Sequence, residues 1–109
     1  MNILFLVLNE VEYLDDVLDA FVKVGVKGAT ILDSQGMGSA LTNGGKNIPF
    51  YGSLLNLIDS ARPYNKTIFA VIEDEKLLED AVAAVKKILG DMKKPGSGLM
   101  FSVPIGKIY

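Results

Sequence analysis

Two apolar runs with no polar side constrain this chain more than any other feature. Ile3-Leu-Phe-Leu-Val-Leu8 and Thr67-Ile-Phe-Ala-Val-Ile72 hold no charged residue, glycine or proline. A strand with one wet face alternates apolar and polar residues, whereas a strand buried on both faces reads as a continuous apolar run. Both runs are therefore expected to be strands in the middle of a sheet. Every other element has to be arranged around them.

Between and after these runs the pattern changes to helical spacing. Leu14, Val17, Leu18 and Phe21 recur on one face, with Asp15, Asp16 and Asp19 off it and Lys23 late, as a helix dipole prefers. A helix over Val11–Val24 follows, with Asn9 and Glu12 as a capping box and Gly25 as its stop. Ala29–Gln35 reads as the second strand, Thr30, Leu32 and Ser34 sharing one face. The glycines and proline from Gly36 to Gly52 predict a loop. Leu54, Leu55, Leu57, Ile58 and Ala61 give Ser53–Ala61 the spacing of a short helix or turn, a strand extension being the other reading. Arg62-Pro-Tyr-Asn65 reads as a turn. A second helix has Leu78, Ala81, Val82, Val85, Ile88 and Leu89 on its face. Asp74 is its cap, and Lys86, Lys87 and Gly90 close it. A loop over Asp91–Gly98 leads to the last strand, Leu99–Ile105, where Pro104 suits an edge or a strand end.

The order β-α-β-loop-β-α-β is the split βαβ, ferredoxin-like pattern: an α+β sandwich with a four-stranded antiparallel sheet and two helices on one face. Its first and third strands are central, in agreement with the two apolar runs. The 109 residues, half of them hydrophobic, suit one domain over 1–109. Two helices cover one sheet face only, so the other face needs a further subunit. A homo-oligomer is expected, and a ring-like trimer is the favoured form.

Composition removes several function classes. The chain has neither cysteine nor histidine, so thiol nucleophiles, zinc-thiolate sites, the commonest general base and the preferred ligands of soft metals are missing. No nucleophile–base pair is visible, and an enzyme is not expected. A net charge of −2 and no Lys/Arg block longer than two residues give no reason to bind nucleic acid. The run at Ile3–Leu8 is too short to span a membrane and lacks a basic flank, so a cytoplasmic protein without membrane insertion is expected. The acidic residues Glu10, Glu12, Asp15, Asp16 and Asp19 are explained by the helix N-terminus without a metal. Gly36-x-Gly38 and Gly96-x-Gly98 are each either an ordinary loop base or a set of backbone N–H groups able to cradle an anion.

Four segments in order resemble PII nitrogen-regulatory signalling proteins. They are Leu14-Asp-Asp-Val17, Val24-Gly-Val26 with Gly28-Ala-Thr30, Gly36-Met-Gly38, and Pro95-Gly-Ser-Gly-Leu-Met-Phe101. The resemblance covers most of the chain, with the middle loop as the main gap. It implies a trimer that binds an adenine nucleotide or similar small anionic effector between subunits and regulates a partner, such as a transporter or enzyme, through the loop 39–52. On this resemblance Thr30 lies near the adenine, Gly36 and Gly38 at the loop base, and Gly96, Ser97 and Gly98 in a second phosphate loop. Lys93 and Lys94 stand just before that loop, and Lys107 is the basic residue after the last strand. Lys46, Phe50 and Tyr51 are the candidate partner contacts in the effector loop. ATP, ADP or AMP are the implied ligands, with or without Mg²⁺. Where the family has Arg-Gln after the loop-base glycine this chain has Ser39-Ala40, and Leu99 replaces a lysine. These departures point to a relative with its own ligand or with weaker nucleotide binding. The alternative is a CutA-type or other ferredoxin-like trimer without nucleotide sensing, and the missing histidine and cysteine count against a soft-metal role for it.

Overall fold

β1 (Asn2–Leu8), β2 (Thr30–Gln35), β3 (Tyr64–Ile72) and β4 (Gly98–Pro104) form one antiparallel sheet in the order β2-β3-β1-β4. The two apolar runs are its central strands, as their composition requires. This computed structural model describes residues 1–43, 64–90, 92 and 98–109. Two longer helices, α1 (Leu14–Val24) and α3 (Glu75–Leu89), pack on one face of the sheet. The strand order and the βαββαβ sequence of elements make the fold α+β and ferredoxin-like, with a short helix α2 (Met37–Asn43) added after β2.

Side-chain parity decides what is buried. Leu4, Leu6 and Leu8 of β1 and Ile68, Ala70 and Ile72 of β3 point to the helices. They meet Val17 and Phe21 of α1 and Ala81 and Val85 of α3 in one core. Burying each of the Leu, Ile, Val and Phe side chains among them contributes about 1.5–3 kcal/mol. Asp15, Asp16 and Asp19 stay exposed on α1 as the periodicity requires. Asp19 also pairs with Lys23 at 2.8 Å, and that hydrogen bond raises the Lys23 ammonium above its ordinary pKa.

Helix ends follow local chemistry with one exception. Gly25 stops α1 at φ 108°, its N–H shared between the Phe21 and Val22 carbonyls. Asp74 caps α3, its carboxylate accepting from Leu77 N–H at 2.7 Å. Asp74→Ala is expected to cost about 1 kcal/mol in a urea titration, with the slope unchanged. The exception is the start of α1. A 3-10 turn over Val11–Tyr13 precedes it, and Tyr13 stands at the N-cap without a side-chain bond. Asn9 is therefore not at a cap position; its Oδ1 accepts from Asn65 Nδ2 at 3.2 Å.

Three other boundaries differ from expectation. The stretch from Gly36 was expected to be a loop, but Met37–Asn43 is helical, with Ala40 N–H donating to the Gly36 carbonyl at 3.0 Å. The candidate partner segment 39–52 thus begins inside a helix. Tyr64 and Asn65, expected in a turn, open β3 because they pair with Gln35 and Ser34. β4 begins one residue early, at Gly98, opposite Leu8, and ends at Pro104 on the sheet's edge. Ser53–Ala61 lies outside the described residues.

Candidate functional site

The sheet face turned away from the helices is built from the opposite parity. Strand register sets its side chains in rows. One row runs Leu32, Thr67, Val7, Leu99; the next runs Thr30, Phe69, Phe5, Phe101; a third joins Val71, Ile3 and Val103. The Phe5 ring stacks on Phe101 with centroids 5.0 Å apart and is tilted against Phe69 at 5.9 Å. Among the described residues no element covers this face. Leu99 is 57% exposed, Leu32 50% and Val71 43%, so a contiguous apolar surface faces outward.

One end of the face is polar. Ser34 Oγ bonds to Asn65 Oδ1 and lies 2.7 Å from Thr67 Oγ1, and Asn65 Nδ2 donates to Asn9. These groups hydrogen-bond to one another at the end of the apolar rows, and among the described residues no fully buried side-chain polar atom is left without a partner. Lys66 pairs with Asp33 on the other side of the sheet.

A shallow groove of 510 Å³ lies where β2 begins, between Lys27–Thr30 and Phe69–Val71. Its lining residues include Thr30, which carries a hydroxyl, Phe69, which carries an aromatic ring, and Lys27, which carries an ammonium. That combination suits a flat ring carrying a polar or anionic group. Lys27 and Phe69 were not singled out in the sequence. Phe69 looks like any apolar strand residue until the register places it opposite Thr30.

The expected site residues are spread over the sheet. Thr30 lines the groove. Gly36 is six residues further along, roughly 20 Å at strand rise, and Gly38 lies in α2. Gly36 is outside the left-handed region, and a Cβ there would meet nothing within 4 Å. Its backbone therefore makes no demand for glycine. Gly98 is different: its φ is +135°, and a Cβ would stand 2.7 Å from the Val7 carbonyl oxygen. This glycine is needed for the close start of the β4–β1 pairing, whatever else it does.

Gly36 and Gly98 share one end of the sheet but belong to opposite edges. Three inter-strand steps of about 4.8 Å put them at least about 14 Å apart. Lys107 follows β4 at the other end, where Ile105 N–H bonds to the Met1 carbonyl. One chain therefore does not bring Thr30, Gly36, Gly98 and Lys107 into one cleft. Lys93, Lys94, Gly96, Ser97, Lys46, Phe50 and Tyr51 lie outside the described residues. Among the described residues no group of three His, Cys, Asp or Glu side chains gathers, and no helix is long and apolar enough to cross a membrane.

Compared with models of protein families and with curated proteins, the chain gives no match.

Proposed function

We propose that this chain is a PII-like cytoplasmic signal-transduction protein and not an enzyme. It acts as a trimer that takes an adenine nucleotide or similar small anion between subunits and regulates a partner protein through the segment 39–52. The observation that carries this reading is the division of the expected site residues between the two edge strands, Thr30 and Gly36 with β2, Gly98 with β4. A site containing them needs a second copy. The exposed apolar face supplies the contact: β2 of one subunit, laid along the β4 side of its neighbour's open face, joins the two halves. The groove at Thr30 and Phe69 then takes the base, and the anionic end runs along β2 toward Gly36.

The test is a thermal-shift panel of ATP, ADP, AMP, cyclic nucleotides, 2-oxoglutarate and bicarbonate, with and without Mg²⁺. An adenine nucleotide is expected to raise the melting temperature with concentration, by the equivalent of about 2.7 kcal/mol at a hundred times Kd. Thr30→Val keeps a good strand residue and removes the hydroxyl. It is expected to weaken that binding roughly 2–10-fold, the net worth of one hydrogen bond. Flat melting curves with every compound would reject effector sensing and leave the ferredoxin-like trimer without nucleotide sensing.

A further inference from the structure

The outer edge of β4 and the side of α3 beside it form a second surface, distinct from the open face. β4 is seven residues long, Gly-Leu-Met-Phe-Ser-Val-Pro, with no charged side chain. Natural sheets blunt exposed edges with charges, bulges, proline or very short strands. Among the described residues the one such device on this edge is Pro104 at the far end, whereas the opposite edge, β2, carries Asp33. Beside β4 lies a groove of 450 Å³ floored by Leu4 and Met100 and walled by Leu78 and Val82 of α3. Among the described residues nothing pairs with this edge or fills this groove.

The rim of the groove indicates the occupant. Glu79, Ala83 and Lys86 stand on one stripe of α3 at i, i+4 and i+7, all exposed. Neither charge has an ion-pair partner among the described residues. The stripe reads negative, small, positive, so it is complementary to itself when run antiparallel. Its midpoint is level with the midpoint of the strand, because Val82, Ala83 and Phe101 line the same groove. Phe101 is the central residue of Gly98–Pro104.

We propose that two copies of the chain pair edge to edge through β4, antiparallel about a two-fold axis at Phe101, with Glu79 of each α3 facing Lys86 of the partner subunit. Such a contact is isologous, as a two-fold requires. The dimensions agree: a helix packs about 8–10 Å from its neighbour, close to the width of two strands at about 4.8 Å each. Ala83 at the crossing point lets the helices approach. On the opposite side of the sheet the row Phe69, Phe5, Phe101 continues across the axis into the same row of the second copy. This pairing uses the edge and the helical side, so it does not rest on the effector reading. A trimer built on the open face keeps β4's outer edge free for it.

The test is a charge cycle read by light scattering or sedimentation. Glu79→Lys and Lys86→Glu each set like charges against each other twice across the axis. Each is expected to halve the solution mass and to weaken pairing at least tenfold. The combined Glu79→Lys/Lys86→Glu swap restores opposite charges and is expected to recover the wild-type mass. These positions are exposed on a helix, and circular dichroism checks that the fold persists. The chain has no cysteine of its own, so an Ala83→Cys variant treated with a short thiol crosslinker is expected to give one new species of two chains. Single-charge variants with the wild-type mass, or an Ala83→Cys variant that stays uncrosslinked, would overturn the two-fold.

Discussion

Lysine at positions 32 and 71 together is expected to lower the solution mass threefold while leaving each chain folded. Leu32 and Val71 sit on the open face of β2 and β3, half exposed and away from the helix-side core. In an isolated subunit a lysine at either place extends into water, and the expected cost is within about 0.5 kcal/mol. In an assembly that covers the face each lysine is buried without a carboxylate, since the rows around it are Thr67, Val7, Ile3 and Val103. An uncompensated buried charge costs about 3–5 kcal/mol. Two per subunit are enough to move dissociation from the nanomolar to the millimolar range. Light scattering at micromolar concentration, with circular dichroism alongside, reads both parts. An unchanged mass with an intact spectrum would show that the open face is not an interface.

Valine in place of Gly98 has the second large effect, on stability. The residue has φ +135°, and the Cβ position is 2.7 Å from the Val7 carbonyl oxygen. Backbone strain for a β-branched residue there costs about 1–3 kcal/mol, and relieving the overlap moves β4 off β1 at a further cost of about 1–3 kcal/mol. A loss near 3 kcal/mol corresponds to roughly 10–25 °C in melting temperature for a domain of this size. Gly36→Ala is the control: it meets nothing within 4 Å and needs no positive φ, so a change under about 1 kcal/mol is expected. Equal melting temperatures for the two variants would refute the close approach of β4 to β1. The same geometry makes Gly98 a poor position at which to test effector binding, because its substitution disturbs the sheet first.

Much of the fold is legible in the sequence because the signals are local. The unbroken apolar runs mark β1 and β3 as central, and the 3.6-residue spacing marks α1 and α3. Gly25, Gly90 and Asp74 mark their ends. α2 was not legible: Gly36 and Gly38 read as helix breakers, each disfavouring a helix by about 1 kcal/mol, and the structure makes the helix regardless. Tyr64 and Asn65 read as turn residues because their strand partners, Gln35 and Ser34, are about thirty positions earlier in the chain. The candidate site was legible only in part. Thr30 was found through a resemblance, while Phe69 became its neighbour only through the β2–β3 register. Gly98, expected in a phosphate loop, has a reason inside the sheet itself.

What the sequence determined alone is where the four strands and the two longer helices lie and which strands are in the middle, because side-chain periodicity and burial preference belong to each segment. The tertiary structure alone decided the register, and with it the phenylalanine row, the groove at Thr30, the opposite-edge placement of Gly36 and Gly98, and the alignment of Glu79, Ala83 and Lys86 with the midpoint of β4. Those relations depend on contacts between residues distant along the chain, and a one-residue slip in pairing would send each side chain to the other face.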